Sequence, residues 1–499
     1  MRTFINKHKI IILLWVFIAT YIVYFSYFTI LRYKTLYASY YDLGIMNQTV
    51  YNTYKAIQEK DISRLLELTD PTSGRQIKRM AIHNDPLLAL IAPLYFVYSG
   101  PETLLILQTV ILGLGAFAVF KIALYILQKQ RYKEIFALIF SLSYLLYPAM
   151  ERSNIYEFHA VTLTTSFLLW MVYVWLQKKY LLSFAFLVLS LISKEQVGLT
   201  TALFGIYSLY RNSRNDKTVK FSLLFIIISV VWVIVSFFII IPYFRGGNHF
   251  AVSRYGDFGD SPIRIIIGII KNPYSLARYL FHINTLRYVI DLLGPLGFLS
   301  VISPIQLLIA IPEFTINLLS NTWGMKSIIY HYTAVITPFV FLSAIYGIRR
   351  IYESGLKNKE FVKGIIIIFI FFTLVFAYFK GPLPFTQGQE IHPFMYPQMS
   401  AREIALWANT LKKDTLKIAS TGHAAPFFSS RRYYYLFSEN YSQADYIVLM
   451  RDEIYNYPEK DMLIPMYEKL TKDPKFKKIY QSQNVEVYKK YDQHNNSLL

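Results

Sequence analysis

Ionisable and imidazole side chains interrupt this sequence close to the ends of its apolar runs. Such residues are costly at a membrane boundary, so each of them is a functional hypothesis by default. Those on the side that we expect to face away from the cytoplasm are Asp42, His83, Asp85, Glu157, His159, Lys194, Glu195, Glu313 and His331. Different loops and helix ends supply them. We therefore expect them to meet in one pocket at the outer membrane surface.

Asp42, Glu157 and His159 combine side chains suited to acid–base and metal chemistry. Asp42 follows the first apolar run, where it is either a helix N-cap or a carboxylate that accepts a proton from a substrate hydroxyl. Glu157 and His159 stand two residues apart, a spacing that aims both side chains the same way in extended backbone. With Asp42 they would offer three ligands to a divalent ion such as Mn²⁺ or Mg²⁺. The alternative is a pair of solvated loop residues.

Lys194 and Glu195 form a charged pair between two apolar runs. Lys194 could hold a phosphate as a point charge, with Glu195 positioning it. The alternative is an ion pair near the membrane interface. His83 precedes Asp85-Pro86, a common turn in which Asp85 is structural.

A polar stripe follows from the spacing of Glu313, Asn317 and Asn321, which share one face if the backbone is helical. His331 comes shortly after it. A polar stripe in a membrane helix must face protein or water rather than lipid. The stripe therefore lines either a cavity or contacts between helices.

The elements that position these residues are membrane spans. The chain has 499 residues, 54% of them hydrophobic, and too little polar surface for a soluble protein of this length. We expect eleven spans, so the fold class is a mainly α, polytopic helical bundle. The predicted spans are 10–31, 103–127, 135–148, 160–176, 180–193, 197–210, 220–243, 286–302, 305–319, 333–348 and 364–379.

Positive charge orients the bundle. Lys and Arg total 51 against 31 Asp and Glu, and they gather in alternate loops, as cytoplasmic loops do. This predicts a multi-pass cell-membrane protein with a cytoplasmic N-terminus. Because cytoplasmic loops account for the excess of Lys and Arg, nucleic acid is not an expected partner. The sequence has no cysteine, which excludes disulfides and a thiol nucleophile, and it has no phosphate-binding loop, so no nucleotide cofactor is expected.

Two domains follow from the same pattern. Residues 1–380 form the transmembrane domain, with long outer loops at 32–102 and 244–285. Within the first, Leu87 to Tyr98 is too short to span and is expected to lie on the membrane surface. Residues 381–499 contain no span and read as a small α/β extracytoplasmic domain. Its predicted helices are 400–411 and 459–471, and its predicted strands are 416–420, 433–437, 445–450 and 484–488.

This layout resembles the C-type glycosyltransferase (GT-C) superfamily, polytopic enzymes that use lipid-linked sugars. Asp42 matches the acidic residue of these enzymes beyond the first helix, and Glu157-Phe158-His159 resembles the acidic-x-His metal motif of archaeal-type oligosaccharyltransferases. The absence of a WWDYG-like motif argues against an oligosaccharyltransferase. A closer resemblance, over residues 40–350, is to an uncharacterised prokaryotic membrane family, a domain of unknown function. The segments that carry it are Tyr41 to Ile45, Glu157 to His159, Ser193 to Glu195, Ile311 to Glu313, Asn317 to Asn321 and His331 to Ala334.

The resemblance implies transfer of a sugar from a polyprenyl-phosphate carrier in the bilayer to an acceptor, which is a glycan, a lipid or a protein. Asp42 would be the general base or a metal ligand, with Glu157 and His159 completing a divalent site. Lys194 with His331 would stabilise the departing phosphate. The expected substrate-binding residues are His83, Glu195, Glu313, Asn317 and Asn321. A transporter or flippase of lipid-linked or anionic substrates is the alternative, and a non-catalytic assembly protein is a third hypothesis.

Overall fold

The computed structural model describes residues 2–212, 215–247, 249–356, 358–390, 392–456 and 458–491, and it is mainly helical. The α-helices in chain order are Arg2–Lys34, Ile45–Glu59, Leu87–Ile91, Pro101–Ile126, Lys133–Leu145, Pro148–Tyr156, Thr164–Leu176, Tyr180–Leu191, Val197–Asn212, Asp216–Val235, Ile241–Arg245, Pro262–Lys271, Pro273–Leu280, Ile283–Leu293, Leu299–Ile302, Pro304–Leu307, Ile311–Leu318, Thr337–Glu353, Lys359–Lys380, Met399–Thr410, Ala425–Phe428, Arg451–Asn456 and Lys460–Lys472. Short 3₁₀ and π turns join several of them.

Some of these helices are long enough to cross a membrane. Within the described residues, five helical stretches are long and apolar enough to cross a bilayer, and these are Lys9–Lys34, Pro101–Ile126, Lys133–Tyr156, Asp216–Arg245 and Lys359–Lys380. The other predicted spans are shorter or broken helices. The predicted span 286–302, for example, is interrupted at Gly294-Pro295 and at Gly297, whose φ is +59°. Proline removes a helical N–H, and a left-handed residue ends the regular helix.

The spans pack through small residues as well as large apolar ones. On the helix Pro101–Ile126, a β-carbon added at Gly113 would lie 2.8 Å from Cγ1 of Ile22, which belongs to the first span. At Gly115 it would lie 2.5 Å from both the Ser166 and the Tyr144 hydroxyl oxygens. Glycine at these positions lets neighbouring helices approach closely, as is common in membranes.

The first long loop, residues 32–102, is more ordered than its sequence suggests. It contains the helix Ile45–Glu59 and a hairpin of strands β1 (Glu67–Thr69) and β2 (Gln76–Lys78). The helix Ile45–Glu59 was not predicted. The segment Leu87–Phe96 is a short apolar helix whose Leu90 and Phe96 are exposed, a shape that suits the predicted place on the membrane surface.

The C-terminal domain, described over residues 381–390, 392–456 and 458–491, contains a five-stranded sheet. Its strands are β3 (Ile418–Ser420), β4 (Tyr434–Leu436), β5 (Tyr446–Met450), β6 (Phe476–Gln481) and β7 (Val485–Lys490), in the order β4-β3-β5-β7-β6. Strand β3 runs parallel to β4 and β5, whereas β7 is antiparallel to β5 and β6. The predicted α/β character is confirmed, and β6 is the strand that the sequence did not reveal.

The C-terminal domain packs against the first long loop. The Tyr40 N–H donates to the Gly422 carbonyl at 3.0 Å, and the Asn47 amide donates to the Ser429 hydroxyl at 2.8 Å. An ion pair of 2.9 Å joins Arg432 to Glu67. The domain therefore lies at the same end of the helical bundle as Tyr40 and the neighbouring Asp42.

Candidate functional site

The turn that carries Asp42 is a single π-helical turn, Tyr40–Gly44, directly before the helix Ile45–Glu59. Such turns are frequent at functional sites because their wider backbone re-aims a side chain. The Glu157 carboxylate fixes the turn by accepting the N–H of Ser39 at 2.9 Å and of Leu43 at 2.6 Å. Asp42 caps no helix, so the N-cap interpretation is wrong.

Both oxygens of the Asp42 carboxylate take part in hydrogen bonds. The Tyr156 hydroxyl donates to Oδ2 at 2.7 Å, and Nε2 of His159 lies 2.9 Å from Oδ1. Burial alone would raise the pKa of Asp42, but His159, Tyr156 and Arg79 outweigh it and hold that pKa below its usual range. The carboxylate is therefore ionised at neutral pH, and His159 donates from Nε2 because an ionised carboxylate only accepts. Each carboxylate oxygen keeps a lone pair for a substrate proton.

His331 lies face to face with His159, and their ring centroids are 3.8 Å apart. The Nδ1 atoms of both rings are buried and have no hydrogen-bond partner among the residues that the structure describes. Burial, followed by the charges of His159 and Lys194, lowers the pKa of His331 well below its usual range. His331 is therefore a neutral imidazole beside the Asp42–His159 pair.

Lys194 and Arg254 lie near Asp42, and among the described residues neither has a carboxylate within ion-pair distance. The Lys194 ammonium lies 5.9 Å from the Tyr332 ring centroid, and the Arg254 guanidinium lies 5.4 Å from that of Phe250. Burial lowers the pKa of Lys194, and the carboxylates of Glu195 and Glu313 partly oppose that shift. Throughout the described part of the chain, neither cation forms an ion pair, so the interpretation of Lys194 as the partner of Glu195 is wrong.

Glu195 instead bridges two histidines. Its Oε1 lies 2.8 Å from Nδ1 of His83 and 3.1 Å from Nε2 of His249, and its Oε2 accepts the Asn84 N–H. Burial opposes ionisation, but the two imidazoles hold the pKa of Glu195 well below its usual range. The Ala251 N–H donates to Nδ1 of His249, which leaves the ring proton on Nε2. The cluster is therefore a hydrogen-bonded triad.

The predicted divalent site is not assembled by Asp42, Glu157 and His159. Both Glu157 oxygens are turned to backbone N–H groups. Among the described residues, the group of three possible ligands whose atoms lie within 4.8 Å of one another is His83, Glu195 and His249. A divalent ion at Asp42 would need oxygen ligands from a substrate or from water. The metal stays a prediction.

The predicted polar stripe is only partly helical. The helix Ile311–Leu318 carries Glu313 and Asn317, but it ends before Asn321, so the stripe is wrong for Asn321. The Asn317 amide donates to the Tyr332 carbonyl at 2.9 Å. Asn321 has an exposed side chain, and its N–H donates to the Arg254 carbonyl at 2.8 Å. Roles for these residues in substrate binding stay predictions.

Two cavities meet at the unpaired cations. A polar cavity of about 410 Å³ is lined by Asp42, His159 and His331 among others. An apolar cavity of about 420 Å³ lies beside it, walled by apolar side chains and by Glu313 and Glu195. The residues that line both cavities are His83, Lys194, Arg254 and Tyr332. The arrangement can hold an anionic group that is attached to an apolar tail.

Arg254 and His249 belong to this site but were not found by sequence reasoning. Both lie in the second long loop, residues 244–285, which carries no recognisable motif. The sequence did contain a signal for them. Both residues closely follow the predicted span 220–243, in a loop on the outer side, where the pocket was expected. Asp85, by contrast, was predicted to be structural, and it pairs with the Arg79 guanidinium at 2.8 Å.

The sequence of residues 32–499 matches the model of a family described as a predicted membrane protein, DUF2079. No curated protein matches the chain.

Solved structures that are similar to this chain include two of ArnT. One is ArnT from Cupriavidus metallidurans bound to undecaprenyl phosphate, with a TM-score of 0.51, 11% sequence identity, and coverage of 95% of this chain and 97% of that chain. The other is ArnT from the same organism in the apo state, with a TM-score of 0.44, 10% identity, and coverage of 90% and 93%. The first likeness confirms the predicted fold, a mainly helical bundle with a small C-terminal α/β part, as similar to that of ArnT.

Proposed function

This chain belongs to the DUF2079 family of predicted membrane proteins, and we propose that it transfers a sugar from a polyprenyl-phosphate carrier to an acceptor at the outer membrane face. The donor's lipid tail would lie in the apolar cavity, and its phosphate would contact Lys194 and Arg254. The reacting hydroxyl of the acceptor would contact Asp42.

The observation that carries this proposal is the meeting of the two cavities at Lys194 and Arg254. Half-buried and buried cations are costly unless a negative charge joins them. An apolar cavity on one side and a polar cavity on the other favour an amphiphile whose charge lies at the junction. A polyprenyl phosphate has this chemistry, and ArnT, the similar fold, has been observed with undecaprenyl phosphate.

The reaction can be written with the residues of this chain. The acceptor hydroxyl attacks the anomeric carbon of the donor sugar while its proton passes to the Asp42 carboxylate. The bond from that carbon to the phosphate oxygen breaks, and the electron pair leaves with polyprenyl phosphate. Lys194 and Arg254 meet the negative charge that grows on the phosphate in the transition state. The products are the glycosylated acceptor and polyprenyl phosphate.

His159, Tyr156 and Glu157 position the base rather than react. His159 and Tyr156 orient the two oxygens of Asp42, and Glu157 holds the turn on which Asp42 stands. His331 stacks on His159 and lines the same polar cavity, where a neutral imidazole can hydrogen-bond a phosphate or sugar oxygen.

Binding of the carrier tests the first half of the proposal. Purified protein is mixed with undecaprenyl phosphate or with undecaprenol, and the bound lipid is counted by native mass spectrometry. We expect preference for the phosphate, and about tenfold weaker binding after Lys194→Met or Arg254→Met. Lys179→Met is the matched control, because Lys179 is an exposed lysine at the opposite end of the helix Tyr180–Leu191.

Transfer tests the second half. Proteoliposomes receive the lipid-linked sugar fraction of a bacterial membrane, and released undecaprenyl phosphate and glycosylated products are measured by mass spectrometry. Release that depends on Asp42 supports the proposal. Movement of lipid-linked sugar across the bilayer without any release contradicts it and favours the transporter alternative.

A further inference from the structure

One side of the helix Pro262–Lys271, in the second long loop, is apolar and exposed. Ile263 is 60% exposed, Ile266 is 62% exposed and Ile270 is 76% exposed. Because they are three and four residues apart, these isoleucines share one side of the helix, which we call the isoleucine face. A continuous apolar row of this kind is unfavourable in water and indicates contact with an apolar partner.

Basic side chains accompany the isoleucine face. From Ser261 to Ile290 the sequence has four Lys or Arg residues and no Asp or Glu. Arg264 and Lys271 are both exposed and, being seven residues apart, share the side of the helix next to the isoleucine face. Arg264 contacts the exposed Asp260 at 2.8 Å, so the segment keeps a net positive charge. An apolar face with basic flanks is typical of a helix that lies in the interface of a membrane with anionic headgroups.

The same helix forms part of the wall of the apolar cavity. Pro262, Ile265 and Ile269 line that cavity and are half-buried. Ile266 also lines it, although it belongs to the isoleucine face. The cavity wall and the isoleucine face therefore meet at Ile266.

The span Asp216–Arg245 supplies a second exposed residue to the cavity wall. Phe238 lines the cavity and is 51% exposed. It stands four residues after the exposed Ile234, so it continues the stripe by which this span faces lipid. Phe237, also in the wall, is eight residues before the end of the span at Arg245, a distance of about 12 Å along the helix. Part of the cavity wall therefore lies at the depth of the lipid tails.

We propose that the helix Pro262–Lys271 lies in the membrane interface with its isoleucine face in contact with lipid tails, and that these tails enter the apolar cavity between Ile266 and Phe238. The partner is bilayer lipid with anionic headgroups. The lipid-facing stripe of the span favours lipid over a protein partner, because it reaches the same cavity as the isoleucine face. That the carrier's tail uses this opening rests on the proposed function. The position of the helix and the opening itself do not, since they concern any bilayer lipid.

Single cysteines can test this, because the chain has no cysteine of its own. The full chain is placed in nanodiscs of phosphatidylcholine and phosphatidylglycerol, and each cysteine is labelled with a nitrobenzoxadiazole fluorophore. Ile270→Cys reports on the isoleucine face, Ile265→Cys on the cavity side and Arg264→Cys on the basic side. Quenching by lipids with a nitroxide in the acyl chain is compared with quenching by aqueous iodide.

Two further positions calibrate the quenchers. Ile368→Cys, exposed on the span Lys359–Lys380, is the lipid reference, and Glu468→Cys, exposed on the C-terminal domain, is the water reference. We expect nitroxide lipid to quench Ile270→Cys at least about threefold more than the water reference, and iodide to quench Arg264→Cys as it quenches that reference. If Ile270→Cys behaves like the water reference, or if neither quencher reaches it because a protein covers it, the proposed position of the helix is overturned.

Ile265→Cys tests the opening. Nitroxide lipid should quench it, and quenching no stronger than in the water reference overturns the opening. In this background Ile266→Trp narrows the opening and should reduce the quenching by half or more, as bulk at the entry excludes lipid tails. Ile263→Trp, on the same helix but outside the cavity wall, is the matched control and should leave the quenching unchanged. Equal quenching in both variants contradicts entry beside Ile266.

Undecaprenyl phosphate separates this inference from the proposed function. If the carrier occupies the cavity, its addition should displace phospholipid tails and relieve the quenching of Ile265→Cys. Quenching by phospholipid that undecaprenyl phosphate does not relieve would leave the opening in place and count against the carrier.

Discussion

Asp42 and His159 are joined by a contact of 2.9 Å between Oδ1 and Nε2, although 117 residues separate them in the chain. The π turn at the start of the first long loop supplies the carboxylate, and the backbone beyond the helix Pro148–Tyr156 supplies the imidazole. His331, from a third segment, stacks on the imidazole. The position of the proposed base therefore depends on three separate parts of the bundle, and each can be altered independently.

Replacing Asp42 by Asn should abolish most of the transfer activity. Loss of a positioned general base costs roughly 10²- to 10⁴-fold in rate. Binding of undecaprenyl phosphate should be unchanged, because Lys194 and Arg254 are untouched. Rate and lipid binding are measured on the same preparation, with the exposed Asp452→Asn variant as a control. Undiminished transfer by Asp42→Asn would remove Asp42 from the mechanism.

Replacing Glu157 should act through the Asp42 turn. Glu157→Ala leaves the Ser39 and Leu43 N–H groups without an acceptor, at a cost of about 1–3 kcal/mol for each buried donor. We expect a lower melting temperature and slower transfer, with Glu157→Gln in between because its amide oxygen still accepts one N–H. The same variants are assayed after chelation with EDTA and with added Mn²⁺. Because both carboxylate oxygens serve the backbone, Mn²⁺ should restore neither variant, and recovery with Mn²⁺ would make Glu157 a metal ligand.

The parts of the fold that the sequence predicted are those with local patterns. Long apolar runs marked the first span and the span Lys359–Lys380. The shorter runs gave helices that begin and end close to the predicted ends, as Ala160–Leu176 and Tyr180–Leu191 do. The run 286–302 is broken, because Pro and Gly end a helix without lowering the hydropathy of the run. The helix Ile45–Glu59 was missed because buried Asn47, Gln48 and Asn52 break any apolar period. Their partners lie elsewhere in the chain, as Ser429 does for Asn47.

The residues of the candidate site could be predicted where a polar residue lies close to a long apolar run in the sequence. This rule found Asp42, His159 and Lys194, which line one polar cavity. It did not find Arg254 or His249, because they stand among other polar residues of the second long loop, and their one signal was their place shortly after a long apolar run. Nor could it foresee that Glu195 would contact histidines rather than its neighbour Lys194, because side-chain direction at a helix break depends on packing from other segments.

Stability should depend on pH through His83. Burial, the largest cause, lowers the pKa of His83 to about 3, whereas in the unfolded chain it is about 6.5. Below pH 6.5 the unfolded chain takes up a proton that the folded protein does not, so stability is lost as the pH falls from 6.5 toward 3. The loss is up to about 1.4 kcal/mol per pH unit for one proton. Melting temperatures between pH 7.5 and 5 should fall less steeply for His83→Gln than for the wild type. The exposed His392→Gln should keep the wild-type slope, and equal slopes for all three proteins would contradict this origin.

Helix packing in the membrane should respond oppositely to alanine at two glycines. Gly115→Ala places a β-carbon 2.5 Å from the hydroxyl oxygens of Ser166 and Tyr144, and such overpacking costs roughly 1–3 kcal/mol. At Gly364, on the span Lys359–Lys380, an added β-carbon would have no atom of the described residues within 4 Å, apart from its own helix backbone and chain neighbours. There alanine should stabilise the helix by up to about 1 kcal/mol through its higher helix propensity. Melting temperatures in detergent should therefore fall for Gly115→Ala and stay level or rise for Gly364→Ala. A fall of equal size in both would mean that the loss comes from the substitution itself, and that the spans do not pack closely at Gly115.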